Sequence, residues 1–258
     1  MLPGSFKKAI LPTLLTLGLA TPSLAEPISY ERMIRNFDIL AFKGEYSGRQ
    51  YEVLRKWKDP LRLAIMSKTY PETLEADIRE LVALLSRTTG HPIELYYSER
   101  MRSAKQLPAG FDQKLVNVYL YYESPADLPK TLAPFFNNDA SQVEPYLKQA
   151  TCFAKLFTKG AEIRRAMIAF PSSRPREHMR ACVVEEISQI LGLANDDATM
   201  SESIFNDSNP VNELTAHDRL QLRVLYDRRL PVGMPRQDVL RTIPVILDDL
   251  KRLAAEQP

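Results

Sequence analysis

The hydrophobic pattern of residues 61–97 constrains the fold more than any other part of the sequence. Leu61, Leu63 and Ile65 alternate as the inward side chains of a strand do. A stretch with helical spacing follows, a glycine closes it, and residues 93–97 form a second short apolar run. The helical positions are Leu74, Ile78, Leu81, Val82 and Leu85. A strand, a helix and a strand joined by short connections predict a parallel pair, and therefore an α/β (α+β) fold with a mixed sheet.

Three later segments also have the pattern of strands. The alternation that begins at Val116 and ends at Tyr122 predicts a strand. It lies either at an open edge of the sheet or under another strand or residues 124–149, and the edge is the position that would allow peptide binding. Residues 151–158 and 163–170 are two further apolar runs, and the Lys-Gly pair between them predicts a hairpin turn. Residues 124–149 contain four prolines and no sustained period. This stretch is therefore predicted to be a loop with short helical pieces.

The first 25 residues have the pattern of a secretory signal peptide. Lys7 and Lys8 precede an apolar run, and a small-residue cleavage site ends at Ala25. Without this segment the chain keeps 32 basic and 32 acidic residues over 233 positions. A neutral chain does not favour phosphate binding, and no other apolar run is long enough to span a bilayer. We expect one domain over residues 26–258 that is periplasmic or secreted, with no membrane anchor and no nucleic-acid partner.

The two cysteines of the chain are Cys152 and Cys182. An even number of cysteines in an exported protein indicates a disulfide, because the compartment is oxidising. The alternative is a pair of buried thiols. We predict that the two residues are bonded.

The run EEISQILGLAN, residues 185–195, ends a predicted helix over residues 177–193. It resembles the zinc-binding helix of the metzincin metalloproteases, whose pattern is HExxHxxGxxH. Glu186 stands at the position of the general-base glutamate, and Gly192 stands at that of the turning glycine. The three histidine positions carry other residues, which are Glu185, Gln189 and Asn195.

The chain downstream continues this resemblance. Residues 203–206 resemble the segment that contains the metzincin Met-turn, with Phe205 in the place of the methionine. Thr215 and Asp218 begin a stretch that resembles the C-terminal helix, and their spacing also predicts a capping box. More closely, the mature chain resembles an uncharacterised bacterial family of exported proteins related to metzincins. The resemblance implies a metzincin-like twisted mixed sheet, a long motif-bearing helix and C-terminal helices.

The residues at the ligand positions do not suit zinc. Glu185, Gln189 and Asn195 offer oxygen atoms where a zinc site uses nitrogen or sulfur. Oxygen atoms suit a hard cation such as Ca²⁺, so we expect either no cofactor or such a cation. The alternative to any metal is structural: Gln189 and Asn195 hydrogen-bond across the turn at Gly192 and hold the helix to the following loop. Nearby arginines would then compensate the two glutamates, the candidates being Arg174, Arg176 and Arg180.

Two functions fit this sequence. The first is a non-catalytic, exported binding or scaffold protein, a pseudo-metalloprotease that retains the old cleft. The second is an atypical metal-dependent peptidase in which Glu186 acts as the general base. For the first, the expected partner is an extended peptide that adds to the strand from Val116 to Tyr122, because metzincins bind peptides on an edge strand above the zinc helix.

Overall fold

The computed structural model describes residues 29–46, 48–201, 203–206, 208 and 211–256. The predicted signal peptide, residues 1–25, lies outside them. The helices of the described part are α1 (Tyr30–Phe42), α2 (Glu72–Thr89), α3 (Glu99–Ser103), α4 (Leu128–Leu132), α5 (Glu144–Gln149), α6 (Arg176–Gln189), α7 (Ala216–Leu225) and α8 (Arg236–Ala255). The strands are β1 (Lys56–Trp57), β2 (Leu61–Ile65), β3 (Ile93–Tyr97), β4 (Val118–Glu123), β5 (Phe153–Lys159) and β6 (Glu162–Pro171). Among these helices, none has the length and apolar character that a membrane span requires.

The six strands form one mixed sheet, as the sequence predicts. β3, β2, β4 and β6 lie side by side in that order and are parallel. β1 pairs in parallel with the start of β6, and β5 pairs antiparallel with β6 on its other side. The predicted unit of strand, helix and strand is confirmed as β2, α2 and β3, and the predicted hairpin as β5 and β6.

The prediction of an edge strand between Val116 and Tyr122 is wrong. β4 is an interior strand, paired with β2 through Val118, Tyr119 and Leu120 and with β6 along its whole length. Its alternation reflects two covered faces. Val118 and Leu120 pack with the helices on one face, and Tyr119 and Tyr121 pack in hydrophobic clusters on the other. The antiparallel strand β5 occupies the edge instead.

Each face of the sheet has its own hydrophobic cluster. On one face, side chains from β2, β4 and β6 pack against α1, α2, α6, α7 and α8. On the other face, residues 128–147 cover β5 and β6, with Phe136 and Val143 packed near Phe153 and Met167. The predicted loop with short helical pieces therefore forms a cover over the sheet, and it contains α4, α5 and two 3₁₀ helices.

Candidate functional site

The motif-bearing helix α6 is buried along most of its length. Its buried side chains include polar ones, Glu186, Ser188 and Gln189, beside apolar ones such as Val183 and Ile187. The helix ends at Gln189, earlier than the predicted end at residue 193. Gly192 follows with a φ of 127°, and a Cβ there would lie 2.5 Å from the carbonyl oxygen of Arg55. A glycine is required because the backbone at residue 55 crosses in contact with this turn.

A disulfide joins α6 to the start of β5, as predicted. Cys152 and Cys182 are bonded, with their Cα atoms 5.9 Å apart. Both residues are buried. The bond holds the edge strand beside the helix and closes one end of the space between them.

A cavity of about 540 Å³ lies between the start of β5 and helix α6. Glu45 and Tyr46 line another side, and residues from the segment 204–212 complete it. Among the described residues that line it, none is a lysine or arginine and five are acidic: Glu45, Glu177, Glu185, Glu186 and Asp196. The cavity is therefore strongly acidic in formal charge.

Tyr46 shows how these charges act on a neighbour. Burial raises the pKa of its phenol, and the charges of Glu186, Glu45 and Asp196 raise the pKa further. The phenol therefore stays protonated and serves as a hydrogen-bond donor beside the carboxylates. The sequence analysis did not identify Tyr46, because it lies 140 residues before Glu186 with no motif around it.

Two of the three side chains at the predicted ligand positions hydrogen-bond to Asp196. The Gln189 amide donates a hydrogen bond to Asp196 Oδ1 (2.6 Å), and the Asn195 amide donates to the Asp196 carbonyl (2.7 Å). The bond from Gln189 holds the end of α6 to the following loop through Asp196, whereas the bond from Asn195 lies within that loop. With an amide at two of the three positions and a carboxylate at the third, Glu185, the residues do not fit a zinc ion.

The expected compensation of the glutamates by Arg180 is wrong. Arg180 pairs with Asp77 (2.7 Å) and Glu213 (3.1 Å), on the side of α6 that faces α2. Arg174 and Arg176 are exposed. Since none of the three lines the cavity, the acidic character of its lining is not reduced by them.

The segment after the motif is fixed beneath the cavity. Phe205 is fully buried, and its carbonyl accepts a hydrogen bond from the Asp197 N–H (3.0 Å). Asp218, also fully buried, accepts hydrogen bonds from Ser203 Oγ (2.6 Å) and from the Ile204 N–H (3.2 Å). The predicted capping box of Thr215 and Asp218 is confirmed. One carboxylate thus begins α7 and anchors the segment that lines the cavity.

A second, smaller cavity of about 180 Å³ lies further along β5 and α6. β5 contributes Ala154, Lys155 and Leu156, and the end of α6 contributes Gln189. Arg55, Tyr51 and Tyr146 also line it, and Glu45 and Tyr46 line both cavities. These two neighbouring cavities are together called the cleft. Sequence reasoning missed Arg55 and Lys155, which carry no pattern of their own.

A comparison with known families assigns the chain. A family model described as "Protein of unknown function (DUF2927)" matches residues 30–245. The chain belongs to the DUF2927 family. No curated protein and no solved structure matches it. The DUF2927 match contains all six strands and helices α1 to α7, so the cleft lies within the region that defines the family.

Proposed function

We propose that this DUF2927 protein is an exported, non-catalytic module that binds an extended polypeptide along β5. The observation that carries the proposal is the position of β5. Within the described part of the chain it pairs with β6 alone, and its other side borders the cleft. An edge strand offers backbone N–H and C=O groups to a further strand, and pockets beside it select the side chains of that strand.

The dimensions of the cleft fit such a ligand. The larger cavity reaches residues 149–152, which precede β5, and the smaller reaches residues 154–156 of β5. Strand residues rise by about 3.3 Å each, so the cavities lie within a few residues of one another along a bound strand. Alternate side chains of the ligand would enter them, because successive side chains of a strand point to opposite faces.

The chemistry of the cleft supports binding rather than hydrolysis. Glu186 is buried and lines the larger cavity, at the position of the metzincin general base. The amides of Gln189 and Asn195 are engaged with Asp196, and no nitrogen ligand stands at the three motif positions. In a metzincin-like mechanism the glutamate acts on a metal-bound water, and the oxygen atoms at the three motif positions do not suit zinc.

The relation to metzincins and the export of the protein are parts of this proposal. The spacing of the motif and the position of α6 beside an antiparallel edge strand support the first. The disulfide between Cys152 and Cys182 supports the second, since such bonds persist in oxidising compartments. A periplasmic or secreted location follows from export. Oxygen ligands suit a hard cation such as Ca²⁺ better than zinc, but the described residues contain no group of three or more acidic, histidine or cysteine side chains placed to hold a metal ion.

The test begins with a selection from a display library of random twelve-residue peptides against the mature protein. A selected peptide is then synthesised with single N-methyl groups at each backbone nitrogen in turn. Strand addition predicts a period of two, in which every second N-methyl group weakens binding at least tenfold and the others do not. A selection that enriches no peptide, or N-methyl effects without this period, would contradict the proposal.

The hydrolase alternative is tested with the same peptide. Mass spectrometry after prolonged incubation should recover the peptide intact, with or without added Zn²⁺ or Ca²⁺. Cleavage that is lost in the variant Glu186→Gln, with binding retained, would establish the peptidase instead.

A further inference from the structure

Arg55 is an unusual residue in the wall of the smaller cavity. It is 8% exposed, and its guanidinium lies over the ring of Tyr51, 3.3 Å from the ring centroid. Its guanidinium has a side-chain hydrogen bond with Tyr51, but its Nε has no hydrogen-bond partner, and among the described residues no ion pair involves Arg55. A buried cation is costly unless an acceptor or an opposite charge compensates it.

The backbone around Arg55 holds this side chain in place. The Leu54 N–H donates to the Met234 carbonyl (2.9 Å), and the Arg55 carbonyl packs against the turn at Gly192. The next two residues, Lys56 and Trp57, form β1. The guanidinium is therefore carried by a fixed element and not by a long exposed loop.

Lys155 brings a second cation to the same cavity from β5. Its ammonium donates to the Phe135 carbonyl (3.0 Å) and lies 3.6 Å from the centroid of the Phe136 ring. An ammonium has three donors, so further donors remain for another acceptor. Burial lowers the pKa of Lys155. In the described residues no carboxylate within ion-pair distance of it is found.

The two cavities of the cleft differ in charge. The smaller cavity is lined by two cations and one carboxylate, that of Glu45. Of the described residues, five acidic ones and no lysine or arginine line the larger cavity. An acidic group on a ligand is therefore repelled by the first half of the cleft and attracted by the second.

We infer that the polypeptide bound along β5 presents a carboxylate to the smaller cavity, where Arg55 and Lys155 bind it. The inference rests on the proposed function and adds the class of ligand to it. Residues 149–152, just before β5, line the larger cavity, and residues 154–156 of β5 line the smaller. The carboxylate therefore lies a few residues along the ligand strand from the residue in the larger cavity, and each residue adds about 3.3 Å. The pair of cations thus fixes the register of the ligand.

The test uses synthetic peptides from the library selection described above. We expect the selected peptides to share an acidic residue at one position. Replacing it by its amide, Asp→Asn or Glu→Gln, should weaken binding to the wild-type protein about tenfold. A C-terminal amide in place of the free carboxylate separates the two sources of the group: the source whose removal weakens binding is the one that the cavity takes.

Protein variants assign the effect to the two cations. In Lys155→Gln and in Arg55→Met, the acidic peptide and its amide should bind within about twofold of each other. Lys159→Gln is the matched control, since it removes the same charge from the exposed end of the same strand. If Arg55→Met does not fold, Lys155→Gln and the charge-conserving Arg55→Lys replace it as the variants that test the inference.

Different results would overturn strand addition along β5 and carboxylate binding by Arg55 and Lys155. Selected peptides without a common acidic position, or an amide replacement without effect, would overturn this inference and leave strand addition intact. Equal losses in Lys155→Gln and Lys159→Gln would also overturn it, because the effect would then be one of net charge. A selection that returns no peptide overturns the proposed function and this inference with it.

Discussion

The two edge strands of the sheet, β3 and β5, have different surroundings. Along β3 the aromatic side chains are covered: Tyr96 and Tyr97 pack on Phe111, with ring centroids 5.1 and 5.6 Å apart. Its residues line neither cavity of the cleft. Residues 149–152, just before β5, line the larger cavity, and Ala154, Lys155 and Leu156 of β5 line the smaller. Of these two edge strands in the described part of the chain, β5 is the one that adjoins the two cavities.

The bonds that hold the two edge strands in place differ as well. β3 leads into Ser98, whose hydroxyl donates to the buried carboxylate of Glu75 (3.1 Å). Tyr70 and Arg79 donate to the same carboxylate, at 2.8 and 2.6 Å. β5 is fastened by the disulfide at Cys152. Near β3 the buried carboxylate is surrounded by donors, whereas the carboxylates near β5 share a cavity that no lysine or arginine lines. The first arrangement stabilises a fold, and the second is suited to a ligand.

The largest effect on stability is expected from removing the disulfide that holds β5 in place. Replacing both cysteines, Cys152→Ala with Cys182→Ala, should lower the free energy of unfolding by about 3 to 4 kcal/mol, because the bond closes a loop of some 30 residues. Chemical denaturation measures this loss. Reductant should shift the midpoint of the wild-type protein in the same direction and leave the double variant unchanged. An identical midpoint for the wild type with and without reductant would disprove the stabilising role of the bond.

The next effect concerns the fastening of β3. Glu75→Gln should cost about 2 kcal/mol, since Arg79, Tyr70 and Ser98 lose a charged acceptor. Glu72→Gln is the control: this residue lies on the same helix, its side chain is 84% exposed, and its ion pair with Arg100 contributes little. Equal unfolding midpoints for the two variants would show that the two edges are not fastened as described.

The pH dependence of stability sharpens the same test. Burial raises the pKa of Glu75, but hydrogen bonds from Arg79, Tyr70 and Ser98 outweigh it, so the pKa lies below its ordinary value of 4.5. The ionised carboxylate therefore stabilises the protein above about pH 4.5, and this contribution is lost as the pH falls through the lowered pKa. The stability difference between wild type and Glu75→Gln should shrink below that pH. A difference that stays constant down to pH 3 would contradict the assignment.

The smallest effect lies in the floor of the cleft. Gln189→Ala should cost about 1 kcal/mol, because Asp196 loses the amide donor that holds it beside the end of α6. Gln142→Ala removes an amide donor of the same kind from Asp139, but in an exposed turn, and should change stability by less than about 0.5 kcal/mol. If both variants have the same stability as the wild type, the link between helix and loop is not structural.

The sequence predicted those parts of the fold that have a local signal. The period change between residues 61 and 97, the hairpin at Gly160 and the capping box at Thr215 depend on neighbours in the chain, and each is confirmed. The position of β4 was predicted wrongly, because alternation reports that two faces differ and not that one edge is open. Helix α1 was not predicted at all, although Ser29 caps it.

The sequence predicted only one wall of the candidate site. The motif located Glu185, Glu186 and Gln189 on one helix, and the cysteine pair indicated the link to β5. The other wall depends on contacts between distant parts of the chain. Tyr46 and Arg55 reach the cleft because the backbone after α1 crosses the turn at Gly192, and no local pattern records that crossing.

The most direct test of the account is hydrogen–deuterium exchange of the protein with and without a selected peptide. Strand addition predicts slower exchange of amides in β5, residues 153–159, because alternate N–H groups gain a partner. β3, residues 93–97, is the internal control and should exchange at an unchanged rate. Protection of β5 alone is the result that the account predicts. Unchanged exchange in β5 at saturating peptide, or protection at β3 instead, would contradict it.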